Sequence, residues 1–434
     1  MTANGSSATL RRPRRSSRRQ IVPPIPSWRR DFEILDELCS ERLVALALWE
    51  SLRDVALWAR SDPGDRIYLF HPPPADLWSD AGKAIPEIME SLERFRDLVR
   101  TPVDLVRDEV AEACRQVYQW AEDRAYLQTA AHFAEAAALV KSNDASLANL
   151  AARTCRRAGL PARAGPWYVR GRVLAVLAND FGEKFSAFVG YGWLMYSLGR
   201  YDRARRIIDK AARAAYNERH MRMAGEAEHN LLAICSELKQ YKAGEQYALN
   251  ALDHYPIHHP LVPFLVHDVA YLFVACAFYS PALNLLQQAI KTMRRPQDPV
   301  LAWGTMAQAA AGAHRTDLYH EARDTALDLL ETYPEFAPAT LRSLGYAAQL
   351  AEDWDVAEHV ARNAAEVARA RRMFEVERTS LELLDRVRIR EPGVPETPPP
   401  ALNRIETITR ACRIKLRLWS GPKRGRPPGE SPPA

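Results

Sequence analysis

Four histidines, His254, His258, His259 and His267, fall close together in the chain, and Asp268 follows the last. Imidazoles and a carboxylate at this density raise metal chemistry first. A helical zinc site needs its ligands on one face, or a closed ligand set. His258 and His259 are neighbours and point opposite ways, and prolines interrupt the segment. The His267–Asp268 dyad lacks further His and Asp ligands at set places. Six cysteines (Cys39, Cys114, Cys155, Cys235, Cys276, Cys412) are widely spaced with no C-x-x-C pair. That argues against a zinc ribbon or redox dithiol and for reduced, mostly buried thiols. No G-x-G-x-x-G, P-loop, G-x-S-x-G or H-E-x-x-H occurs. The expectation is therefore no catalytic residue, no metal, no cofactor and no small-molecule substrate.

Charge is the second chemical signal. The 434 residues carry a net +5, unevenly spread. Residues 1–30 hold eight arginines and no acid; residues 401–434 hold eight basic residues and two acids. The body between them is mildly acidic. Basic ends on an acidic body point toward polyanions. Ser17-Arg18-Arg19-Gln20 has a twin-arginine look, but no apolar run follows it, and scattered prolines spoil an amphipathic transit helix. Leu261–Tyr279 is the most apolar window, yet His267 and Asp268 sit inside it. No membrane span is expected, and a cytoplasmic location is.

These residues must be placed by helices. With 47% hydrophobic residues the chain has ample core material. Residues 1–30 read as a disordered tail. An irregular helical region covers 31–143, where Ile34, Leu35, Leu38, Leu43, Leu46 and Trp49 recur at helical spacing. Thr101-Pro102 reads as a helix start, and 101–140 as a degenerate helix pair. Ile67–Phe70 is the one strand candidate.

From about residue 145 the helices become alike. Phe188-x-x-Tyr191-Gly192-x-x-Met195 is followed by Gly199-Arg200-Tyr201-Asp202-Arg203-Ala204-x-x-x-Ile208. The small residue of the second helix recurs at Ala164, Ala204, Gly244, Ala282, Ala322 and Ala357. An aromatic precedes it by three at Tyr201, Tyr241, Tyr279, Tyr319 and Trp354. A small residue lets two antiparallel helices approach, and one helix pair cannot bury its own apolar face, so neighbours stack. This pattern resembles the tetratricopeptide repeat family. The resemblance covers about 145–370, in units up to six residues longer than the family's 34. It implies an all-α, right-handed α-solenoid of stacked antiparallel helix pairs over 144–390, ending in a polar capping helix at 365–388. A stiff Pro-rich linker at 391–400 then leads to a basic amphipathic helix and a disordered tail over 401–434.

The resemblance also implies a concave groove lined by first helices. It assigns to that groove Asn149, Arg153, Arg156, Trp193, Tyr196, His229, His267, Tyr271, His314, Arg342, Tyr346 and Gln349. Aromatic and Arg side chains are the types that anchor partners. The expected work is non-catalytic binding of a protein or peptide, as a scaffold or adaptor. Separately, Pro422-Lys423-Arg424-Gly425-Arg426-Pro427-Pro428 resembles an AT-hook, whose Arg-Gly-Arg core suits a narrow A·T minor groove. The alternative expectation is thus a DNA-associated regulator that binds through Lys423, Arg424, Gly425 and Arg426.

Overall fold

A computed structural model describes residues 22–26, 33–71, 77–393 and 402–419. Most of the Arg-rich start, most of the Pro-rich linker and the AT-hook-like segment lie outside the described residues. Every regular element among those described is helical. The first five helices are α1 (Glu33–Glu37), α2 (Arg42–Arg60), α3 (Arg66–Leu69), α4 (Leu77–Ala84) and α5 (Met89–Arg100). Seven antiparallel pairs follow. They are α6 (Arg107–Asp123) with α7 (Leu127–Val140), α8 (Ala145–Arg157) with α9 (Pro161–Leu177), and α10 (Phe181–Ser197) with α11 (Tyr201–Asn217). Next come α12 (Met221–Glu237) with α13 (Tyr241–His254), and α14 (Val262–Ala275) with α15 (Tyr279–Ile290). The last two are α16 (Val300–Gly312) with α17 (Thr316–Thr332), and α18 (Ala337–Leu350) with α19 (Trp354–Ala370). Helices α20 (Phe374–Arg388) and α21 (Ile405–Leu418) complete the order.

The stack is a helical solenoid. All six small positions are buried, Gly244 among them. Tyr201, Tyr241, Tyr279 and Trp354 each open a second helix. At Gly192 a Cβ would lie 2.4 Å from Ile208, so the close approach there requires glycine. The units are long because their helices are long: α10, α11 and α12 have 17 residues each.

Three-residue turns join most of these helices, and one geometry recurs. After α10, the Arg200 N–H donates to the Met195 carbonyl at 2.8 Å, with Gly199 left-handed at φ 68°. The same six-to-one bond closes α11 (His220 to Ala215), α12 (Gln240 to Cys235), α14 (Phe278 to Phe273) and α18 (Asp353 to Ala348). Yet the left-handed residue in those turns is Arg219, Lys239, Ala277 or Glu352 rather than glycine. L-residues strain there. Lys239→Gly and Arg219→Gly are each expected to stabilise the protein by about 0.5–1 kcal/mol, the strain relieved exceeding glycine's entropy cost. A rise in the urea midpoint checks this; a fall would contradict it.

Three sequence expectations are corrected. Ile67–Leu69 belong to a single helical turn, α3, and form no strand. Thr101 ends a helix: its hydroxyl donates to the Asp97 carbonyl, and α6 starts only at Arg107. The closing helix of 365–388 is interrupted at 371–373, where Arg372 turns left-handed between α19 and α20. The degenerate pair expected in 101–140 is present as α6 and α7.

The solenoid curls until its turns meet. A Cβ on Gly159, after α8, would touch Arg371, after α19. One on Gly199 would lie 2.7 Å from Glu375 of α20. Arg371 ties this rim by donating to the carbonyls of Glu335 and Pro334 at 2.7 and 2.9 Å. Helix α21 packs on α13, α14 and α15 through Ile408, Cys412 and Leu416. Arg404 N–H donates to Glu245 Oε1 at 2.6 Å, the Lys415 ammonium to the Tyr255 carbonyl, and Trp419 Nε1 to the His259 carbonyl at 3.1 Å.

Candidate binding groove and the closed centre of the solenoid

The residues assigned to one continuous groove fall into three environments. Asn149, Arg153, Arg156 and Trp193 line an open groove of about 900 Å³ with α6, α10 and the start of α7–α8 connection around it. Tyr196, Tyr271 and Arg342 meet at the closed centre. His229 and His267 are joined through one carboxylate. Tyr346 and Gln349 face the capping end: Arg386 lies over the Tyr346 ring at 5.7 Å, and Gln349 donates to the Glu391 carbonyl. His314 occupies a turn at φ 55° after α16 and is exposed.

The open groove has basic heads with no ionic partner. Its acids are engaged: Asp108 and Asp144 with Lys141, Glu112 with Arg115, and Glu183 with Asn149 at 2.7 Å. Arg153 and Arg156 have no ion pair among the described residues; Arg153 sits beside the Tyr118 hydroxyl. Trp193 is fixed in the wall by donating Nε1–H to Asn230 Oδ1 at 2.9 Å and by an edge contact with Tyr196. Among the described residues, three buried polar atoms of lining residues have no hydrogen-bond partner: Asn149 Oδ1, Arg156 Nε and Tyr168 Oη. Buried polar groups are rarely left so. Tyr118 and Arg115 were not among the sequence candidates, because α6 lacks the repeat signature.

The centre is shut by charge. Glu237, last residue of α12, accepts from Arg342 at 2.7 Å, from Tyr271 at 2.9 Å and from Tyr196 at 3.2 Å. Arg342 lies 105 residues away on α18. Burial works against the Glu237 charge, but Arg342 and the two hydroxyls outweigh it and hold the carboxyl pKa below the usual value. Burial beside that carboxylate also pushes both tyrosine hydroxyls up.

The histidines expected near one another are distributed among separate partners. His229 lies 3.0 Å from Asp268 Oδ2 and 3.0 Å from the Tyr255 hydroxyl. His267 lies 2.8 Å from Asp268 Oδ1 and 3.1 Å from Thr305. His254 pairs with Glu228 at 2.8 Å, and His259 stacks on Tyr255. Among the described residues no group of three or more His, Cys, Asp or Glu could hold a metal ion. Five cysteines are buried, Cys39 is exposed, and all six are free. No described helix is long and apolar enough to cross a membrane.

Asp268 knits α12, α14 and α16. Burial opposes its charge, but hydrogen bonds from His229 and His267 prevail and lower its pKa. A depressed folded pKa contributes stability that is complete above the unfolded value of about 4 and lost as pH falls through the folded one. Melting temperature is therefore expected to drop below about pH 4. Asp268→Asn is expected to melt lower at neutral pH and to show a shallower acid dependence; an unchanged acid slope would remove Asp268 from the account.

No protein-family model matches the chain, and no curated protein matches it. Among solved structures, BtubC (BKLC) from P. vanneervenii is similar at 14% identity and TM-score 0.37, over 53% of this chain and 93% of that one. The Rap conjugation gene regulator of plasmid pLS20, solved with the Phr* peptide, is similar at 14% identity and TM-score 0.45, over 83% of this chain and 97% of that one. What the described residues establish is a helical-repeat solenoid with an open groove beside a centre closed by ion pairing.

Proposed function

We propose that the chain is a non-catalytic, tetratricopeptide-like binding protein that holds an acidic peptide segment along α6, α8 and α10. One observation carries the reading: the open groove holds two arginines, Arg153 and Arg156, that have no ion pair among the described residues, beside aromatic side chains. Acidic side chains can pair with Arg153 and Arg156. Charge-assisted bonds to guanidinium are the strong kind. Trp193 and Tyr118 supply the aromatic anchors.

A fluorescein-labelled panel of short peptides graded from basic to acidic tests this by anisotropy. Acidic members are expected to bind. Arg153→Glu with Arg156→Glu is expected to weaken them at least tenfold, which is about 1.4 kcal/mol. Arg219→Glu, in an exposed turn that does not line the groove, should leave binding unchanged. Equal binding across the panel, or no effect of the reversal, would refute the reading.

A further inference from the structure

The docked C-terminal helix leaves its basic side outward. Arg410, Arg413 and Arg417 recur three and four residues apart, so they share a face of α21. They border a cleft of about 580 Å³ between α21 and the start of α15, with Ser280, Asn284 and Thr409. None of the three arginines has an ion pair among the described residues, although Glu406 also borders the cleft. Arg413 Nε and Thr409 Oγ1 are buried there without a partner. Beyond the helix end, Arg294 lies 4.7 Å over the Trp419 ring and extends the basic row.

We infer that this outer face binds the phosphate backbone of duplex DNA, separately from the peptide groove. Seven helical residues span about 10 Å. Each DNA strand advances about 3.4 Å of axis per phosphate while winding round it, so the row can meet about two or three phosphates. Ser280 and Asn284 in the cleft add the neutral hydrogen-bonding groups common in backbone contacts. An anionic lipid surface fits less well. Insertion uses the apolar face of such a helix; here Ile408, Cys412 and Leu416 are spent on the solenoid, and only Ile414 and Leu418 stay exposed among the arginines.

The test is anisotropy of a short A·T-rich duplex with the full chain, titrated between about 50 and 200 mM salt. The main variant carries Arg410→Gln, Arg413→Gln and Arg417→Gln, with its fold checked by circular dichroism and melting. Binding by the parent chain is expected. The triple variant should lose at least tenfold in affinity, and its log–log salt slope should shrink by about 2–3. A second variant, Lys423→Gln, Arg424→Gln and Arg426→Gln, should retain a measurable part of the binding. Three results would overturn the inference: no duplex binding by the parent chain, a triple variant with parental affinity and slope, or loss of all binding in the second variant alone. Preferred binding to anionic vesicles over the duplex would also overturn it, in favour of a lipid surface.

Discussion

Glu237→Ala is expected to destabilise the protein by about 3–5 kcal/mol, the cost of leaving a buried charge without its partner. The charge left behind is Arg342, which is buried and, among the described residues, has Glu237 as its one ionic partner. Two tyrosine hydroxyls would lose their acceptor as well. The same physics predicts an asymmetry. Removing both charges at once, as in Glu237→Leu with Arg342→Met, should recover most of the loss, since buried pairs are often replaceable by well-packed apolar groups. Glu237→Gln should fall between, keeping the acceptor but not the charge. The measurement is the urea midpoint with its slope. The pair joins α12 to α18, so a Glu237→Ala chain should also open at the rim, where Gly199 meets Glu375. Faster amide exchange at the turns after α10 and α19 than in the double variant would register that opening. A single variant no less stable than the double one would show that water reaches Arg342.

The repeat was legible because each of its requirements is local. A buried small residue in the second helix and an aromatic three residues before it are fixed by one helix pair, and Ala204 with Tyr201 displays both. The turns were not legible. Their left-handed residues are Lys239, Arg219 or Glu352, and nothing in those residue types announces a positive φ. Curvature was hidden for a different reason. It sums small rotations over many pairs, so the meeting of Tyr196, Tyr271 and Arg342 depends on all of them. Repeat register did put these three on one face. It missed Glu237, their common acceptor. One signal existed: an acid on the last turn of a helix opposes the macrodipole, and Glu237 closes α12. The groove was legible in its α8 and α10 halves and not in α6. The docking of α21 was visible only as amphipathicity, which names an apolar face but not what covers it.

Gly190→Ala is expected to lower stability by about 1–2 kcal/mol, although alanine favours a helix interior by about 1 kcal/mol. A Cβ at that position would lie 2.2 Å from Tyr168 Cε1, 2.6 Å from Cζ and 2.7 Å from Oη. These atoms belong to one rigid phenol, which cannot bend away as an aliphatic tip can. The ring is itself buried and held edge-on by Tyr191. Overpacking of this sort typically costs about 1–3 kcal/mol, and Gly190→Val should reach the upper end. The control is a double-mutant cycle with Tyr168→Leu, which removes all three clashing atoms. In that background Gly190→Ala should become neutral or stabilising, recovering the helix preference alone. A stabilising Gly190→Ala in the parent chain would mean that the ring moves freely. Gly190 and Tyr168 both line the open groove, so the same substitution should displace the Tyr168 hydroxyl and weaken the acidic peptides. It would do so in proportion to how firmly α9 and α10 hold the groove wall, because the close approach that excludes a methyl group is also what positions that hydroxyl.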